Sequence, residues 1–170
     1  MLHQLTARLG GYGFEPITDC NYELYFEVYA ANQAFFLLTA GKEASPESIS
    51  DAISQTPPGF ELKNKYFLGV RKNGAAVGVL DFLIGYPEKN CLWIGLLIIH
   101  GEMQGKQAGS EIVHALLNAA KAEGLETAQL GVIENNTRGM TFWQKFGFQE
   151  IRQTPAGENG LKTIVMEKRL

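Results

Sequence analysis

A chain of 170 residues is the size of one domain, and 45% hydrophobic residues suffice for one sizeable core. Charged residues make up 19%, below the usual ~25%, while 19 glycines are about one residue in nine against a usual ~7%. A formal charge of -3 disfavours a broad basic face for nucleic acid, the lack of a three-residue glycine repeat excludes collagen, and 11% aromatics argue against disorder.

Residues Asn21 to Ala31 have a helical pattern, with Tyr22, Tyr25, Phe26 and Tyr29 at helical spacing and Asp19 as the expected cap. Ser45-Pro46 opens a second helix that cannot pass Pro57-Pro58. The period then changes. Tyr66 to Arg71 and Ala75 to Ile84 are extended runs, and Asn73-Gly74 between them is a hairpin signal because both residues tolerate positive φ. Cys91 to Ile99 is an apolar run too continuous for a strand with one wet face, so Tyr66 to Ile99 is expected to form an antiparallel meander.

Gly109 to Glu123 is helical, with Ile112, Leu116 and Ala119 beside Val113, Leu117 and Ala120, and Gly124 just past its end. Thr127 to Ile133 follows as a strand with Ala128, Leu130 and Val132 on one face. Strand, helix, strand implies a right-handed parallel crossover. A short helix from Thr137 to Phe146 turns Met140, Trp143 and Phe146 inward, and Leu161 to Met166 closes the chain as a strand. The fold class is α+β, one domain over residues 1–170 around one mixed sheet.

No stretch approaches the ~18 apolar residues of a membrane span. Met1-Leu2-His3-Gln4 lacks the charged-then-apolar pattern of a secretion signal, and Cys20 and Cys91 have no metal or redox spacing; a cytoplasmic protein with reduced thiols is the expectation. His3, His100 and His114 share no metal-ligand spacing, so no metal site is expected. A Cys91–His100–Asp81 triad has no motif behind it, and GxSxG is absent.

The segment from Ile98 to Ser110 reads as a strand end, a glycine-containing loop and a helix start, where unpaired helical N–H groups and the helix dipole can take an anion. Downstream, Asn136, Gly139, Phe142, Trp143, Lys145, Gly147 and Phe148 follow the order asparagine, small residue, two aromatics, lysine, glycine, phenylalanine. With these two segments together the sequence resembles the GNAT acyltransferase superfamily, whose members transfer an acyl group from acyl-coenzyme A. That family's loop has Gln or Arg, two residues, Gly, one residue, then Gly or Ala; Gln104 to Gly109 fits it except that Gln107 stands where the first glycine is expected.

The resemblance implies a mostly antiparallel sheet with two central parallel strands that splay apart, flanked by helices. The strands would be those ending at Ile99 and Ile133, with Leu97 and Ile99 as backbone partners of the pantetheine arm. The amides of Gln104, Gly105, Lys106, Gln107, Ala108, Gly109 and Ser110 would carry the pyrophosphate. The family gives Asn136 a contact to the pantetheine region, whereas helix physics makes it a cap; Trp143 either packs against the cofactor arm or is core. Trp143 also replaces a tyrosine that many members place there to protonate the leaving thiolate. Gln107 either loosens the grip on the phosphates or turns its side chain outward.

The implied function is an N-acetyltransferase that moves an acetyl group from acetyl-CoA to a primary amine of a small molecule or peptide; a silent acyl-CoA-binding module is the alternative. No base is fixed by motif. Glu134, after the strand beside the cofactor, and Asp81, an acid inside an apolar strand, are the candidates, with His100 behind them. A backbone N–H near the end of the Cys91 to Ile99 strand would serve the oxyanion. The aromatic segment from Tyr22 to Phe36, with the stretch to Phe60, is expected to form the acceptor wall; the sequence does not choose between monomer and homodimer.

Overall fold

The computed structural model describes residues 11–157 and 160–170; the N-terminal pattern and His3 lie outside them. Seven strands form one sheet: β1 (Tyr12–Pro16), β2 (Lys65–Lys72), β3 (Ala75–Ile84), β4 (Cys91–Ile99), β5 (Thr127–Ile133), β6 (Gln149–Gln153) and β7 (Thr163–Arg169). Their order across the sheet is β1-β2-β3-β4-β5-β7-β6. Only β4 and β5 run parallel; every other neighbouring pair is antiparallel. The helices are α1 (Tyr22–Ala30), α2 (Gln33–Ala40), α3 (Pro46–Ser54), α4 (Ala108–Ala122) and α5 (Thr137–Lys145).

The expected meander forms, and its Asn73-Gly74 turn has φ of +52° and +86°. The β4–α4–β5 crossover is also present, with the six apolar residues named on α4 all buried. Two cores result, one on each face. α4 covers Leu80, Phe82, Leu92, Ile94, Leu130 and Met166. On the other face α1 and α3 bury Tyr25, Val28, Tyr29 and Ile49 against Phe67, Val79 and Ile98. Tyr25 lies flat on Gly69, where a Cβ would stand 1.9 Å from its ring, so that glycine sets how closely α1 approaches the sheet.

The continuity of the β4 apolar run has a physical cause. Asp81 pairs with Leu96 but Phe82 with Ile94, so Gly95 is an extra residue, a β-bulge. Leu92 and Ile94 face α4 before it, Leu97 and Ile99 after it, and Leu96 and Ile98 turn to the α1 side. A bulge exchanges the two faces midway, so both halves need apolar residues at different parity.

Other expectations need correction. The aromatic segment Tyr22 to Phe36 is two helices, broken at Ala31-Asn32, where the Asn32 side chain donates back to the Val28 carbonyl at 2.7 Å. Asp19 does not cap α1; Asn21 occupies that position and its Oδ1 accepts from the Thr18 N–H. The last strand is Thr163–Arg169 rather than Leu161 to Met166, and the edge strands β1 and β6 carried no sequence signal. β6 is exposed along its whole length, so no alternation marked it.

Candidate active site

β4 and β5 are paired from Cys91 with Thr127 to Ile94 with Leu130 and then part. The next residue on each strand is glycine, Gly95 and Gly131, and both are exposed. The sheet therefore opens into a fork whose first unpaired residue on each strand carries no side chain. A Cβ on Gly131 would stand 2.7 Å from Thr163 Cγ2, and one on Gly95 3.3 Å from Asp81 Oδ2.

Beyond the fork β4 keeps its bonds to β3 on one edge. The His100 N–H donates to the Val77 carbonyl at 2.9 Å, so by antiparallel alternation Leu97 and Ile99 turn their backbone groups toward the open edge. The Ile99 carbonyl is already occupied, accepting from Asn32 Nδ2 at 3.1 Å and Gln104 Nε2 at 3.0 Å. Leu97 and the Ile99 N–H are what that edge offers a ligand. Gln104 ties three elements together, since its Nε2 also donates to Asn32 Oδ1 and its Oε1 accepts from Arg138 of α5.

The loop at the mouth of the fork brings together backbone N–H groups that could take an anion. Gly105 and Gln107 have φ of +74° and +64°, and α4 starts immediately afterwards. Turns of this kind gather N–H groups into a concavity, and the first-turn amides Ala108, Gly109 and Ser110 have no acceptor within the helix. Gln107 is exposed, and its side chain makes no capping hydrogen bond. Lys106 is exposed beside it. A cavity of about 360 Å³ runs along α5, lined by Thr137, Arg138, Thr141, Phe142 and Lys145, with two cations and no carboxylate.

Asn136 caps α5, its Oδ1 accepting from the Gly139 N–H at 2.9 Å. Trp143 belongs to an aromatic cluster, with ring centroids 5.0 Å from Phe142 and 5.5 Å from Phe148, packed on the α4-side core. Met140, Trp143 and Phe146 pack on that core, but none is fully buried.

The two carboxylates named from sequence have different fates. Glu134 is exposed at the end of β5 and closes a loop: its Oε1 accepts from the Lys162 N–H at 2.9 Å. Asp81 does not face solvent as an ordinary strand acid would. Its Oδ2 lies 2.7 Å from Lys65 Nζ, the Lys65 side chain is 4% exposed and that of Asp81 17%, and Asp81 Oδ1 has no partner among the described residues. Burial pushes the Asp81 pKa above the ordinary carboxylate value, and the Lys65 charge opposes that rise. Burial also raises the Tyr29 phenol, and the Asp81 charge adds to it. His100 turns into the loop, its Nδ1 accepting from the Glu102 N–H. Among the described residues no group of three or more His, Cys, Asp or Glu converges to hold a metal ion.

Sequence reasoning missed Gly95, Gly131, Lys65, Asn32 and Arg138. The two glycines become visible only once the parallel register is known. Trp93 was missed as well; it stands on the face away from α4, with Tyr86 at 5.5 Å and Phe60 beyond it.

A forked parallel pair with an anion-ready loop at its mouth is the architecture of the GNAT acyltransferases. A sequence model of the acetyltransferase (GNAT) family matches residues 18–148, and the chain belongs to that family. The family's acyl donor is acetyl-CoA. An acetyltransferase from Thermus thermophilus superposes with a TM-score of 0.74 at 22% identity, over 94% of this chain and 97% of that one. The PaiA N-acetyltransferase of Thermoplasma acidophilum, solved with coenzyme A, gives 0.65 at 19% identity, over 94% and 99%. Among curated proteins, UPF0157 protein YqkA of Bacillus subtilis is 24% identical over 115 residues, 66% of this chain. The chain spans about a third of that relative's length. Among the described residues no helix is long and apolar enough to cross a membrane.

Proposed function

We propose that residues 1–170 form one N-acetyltransferase domain that moves the acetyl group of acetyl-CoA to a primary amine of a small molecule or peptide. The observation that carries this reading is the fork: an open β4 edge, two glycines where the strands part, and a partly buried carboxylate beside it. Leu97 and the Ile99 N–H would hold the pantetheine arm as a strand is held. The amides from Gln104 to Ser110, with Lys106 and Arg138, would hold the phosphates. Acetyl-CoA supplies a thioester whose thiol, with a pKa of ~8.5, leaves without a strong acid. Trp143, which has no acidic hydroxyl, therefore does not weigh against transfer.

The acceptor must lose a proton. An alkylammonium with pKa ~10.4 is mostly charged at neutral pH, a handicap of roughly 4–5 kcal/mol. Asp81 takes that proton in this reading. It adjoins Gly95 at the fork, it retains a small exposed area, and its raised pKa makes it a better base than a surface carboxylate. Glu134 is the weaker candidate because the Lys162 N–H already fixes it. Calorimetry with CoA and acetyl-CoA, followed by thiol release across a panel of amines, tests the proposal. Micromolar CoA binding with thiol released by at least one amine is expected. CoA binding without thiol release across the panel would favour the silent module, and no CoA binding would remove both readings.

A further inference from the structure

Lys65 opens β2, and the alternation of that strand places its side chain with Phe67 on the face that α1 covers. The side chain is 4% exposed, and its ammonium stands 5.5 Å from the Phe67 ring centroid. Among the described residues Nζ bonds only Asp81 Oδ2, at 2.7 Å, which leaves two of its three N–H groups without an acceptor. Two other ion pairs of the described residues, Lys63 with Glu61 and Arg71 with Glu15, are far more exposed.

Stability alone gives no reason for this lysine, because apolar residues often replace a buried ion pair without loss. Its place supplies one. Asp81 Oδ2 is 2.7 Å from Lys65 Nζ and 3.3 Å from a Cβ on Gly95. One oxygen atom thus separates a primary amine from the point where β4 leaves β5. A primary amine is also the group that the transfer reading assigns to the acceptor. This one is tethered to the chain, so it reacts without the entropy cost of binding a second molecule.

The proton of that amine has a taker already in contact. Transfer along the Lys65–Asp81 bond turns two buried charges into a neutral amine and a neutral acid, and desolvation favours the neutral forms. Burial raises the Asp81 pKa, which works in the same direction. A neutral amine no longer has an ion pair to hold it, and its flexible four-carbon stem lets it turn toward the fork.

We propose that Lys65 is a self-acetylation site: with acetyl-CoA bound and no acceptor present, Lys65 Nζ takes the acetyl group. Lys65 gives one proton to Asp81 Oδ2, and its lone pair forms a C–N bond to the acetyl carbonyl carbon. The C–S bond breaks with its electron pair on sulfur, which takes the second proton lost by the nitrogen. The products are an uncharged acetyl-lysine, CoA as the thiol, and a proton that Asp81 passes to water. Acetylated Lys65 no longer opposes the rise of the Asp81 pKa, so the proposed base is protonated over more of the pH range. Acetyl-CoA that waits without an acceptor thereby turns the site down. This inference rests on the transfer reading, and the test separates the two.

The protein is incubated with acetyl-CoA alone, and acetylation of Lys65 and Lys63 is followed by peptide mass spectrometry. Lys63, with a side chain 73% exposed, reports the uncatalysed reaction two residues away. Lys65 should be acetylated about ten times faster than Lys63 or more. Its rate should saturate in acetyl-CoA, be independent of protein concentration and be suppressed by excess CoA. Asp81→Asn should slow Lys65 about tenfold and leave Lys63 unchanged; an unchanged Lys65 rate in the folded variant would overturn the proton path. Lys65 unmodified, modified no faster than Lys63, or modified without saturation would overturn the inference, from the wild type alone should Asp81→Asn fail to fold. Thiol release by an added amine with Lys65 unmodified sinks this inference and keeps the transfer reading. Lys65 modified while no amine releases thiol upholds it and removes the separate acceptor.

Discussion

The two ends of the β4–β5 pair are opposites. Above Ile94 and Leu130 the strands part, the backbone is open, and the flanking cavity carries Arg138 and Lys145 without a carboxylate. Below that point the strands are paired, and a cavity carries Glu88, Glu126 and Glu167 with only Lys89 opposing. A net charge of -3 conceals this polarity, because the sum says nothing of placement. The two ends of one strand pair thus carry opposite charge.

The buried pair between these ends is where the comparison breaks most sharply. Asp81→Asn should lower kcat/KM by ~10²–10⁴, the usual contribution of a positioned base, in a thiol-release assay. It also leaves the Lys65 charge buried and unpaired, which typically costs 3–5 kcal/mol. Lys65→Met with Asp81→Leu removes both charges; thermal denaturation should recover much of the lost stability while activity stays lost. Recovery of activity in that double variant would show that Asp81 acts only through folding. The pH dependence has a definite sign. Asp81 must be ionised to accept a proton, and burial holds its pKa above the ordinary carboxylate value, so the acidic limb of kcat/KM lies above that value. Lys65→Met removes the opposing charge and moves the limb to higher pH. For stability, a folded pKa above the unfolded one gives a contribution that is full below the unfolded pKa and fades as pH rises through the folded one.

Next in size are the two glycines at the fork. Gly95→Val puts a branched side chain against Asp81 Oδ2 and into the gap, and turnover should fall by ~10² while CoA affinity, measured by calorimetry, changes far less. A parallel loss of CoA affinity would mean that the glycine serves the donor and not the acceptor. At the cationic end, Arg138→Gln with Lys145→Gln should weaken CoA binding about tenfold, a modest value for charge-assisted bonds, and flatten its dependence on salt.

What could be seen in the sequence depended on how local the cause was. The Asn73-Gly74 hairpin, the α4 stripe and the β5 alternation are encoded within a few residues, and all three are present. The glycine-containing turn into α4 was legible because a strand end, Gly105 and a helix start follow one another. The Lys65–Asp81 pair joins residues 16 apart across a hairpin, and Gln104 to Asn32 spans 72. No pattern of spacing announces such contacts. The Gly95 bulge was hidden by its own effect, since exchanging faces midway made β4 look uniformly apolar. Glu134 was attractive from position alone, and only the backbone of Lys162, brought back by β7, shows what already holds it.

Gln107 gives the smallest predicted effect and the one that best isolates the loop. Its φ of +64° lies in the left-handed region, which costs a residue with a side chain about 1–2 kcal/mol. Glycine there avoids that cost but gains freedom in the unfolded chain, which returns about 0.5–1 kcal/mol of it. The Gln107 side chain makes no capping bond that its loss would forfeit, and glycine is itself tolerated at a helix N-cap. Gln107→Gly should therefore stabilise the protein by about 0.5–1 kcal/mol in thermal or urea denaturation, with CoA affinity equal or slightly higher because the amide is then bare. A destabilised variant, or one that binds CoA more weakly, would show that the exposed side chain holds the loop, and that the departure from glycine at this position is functional.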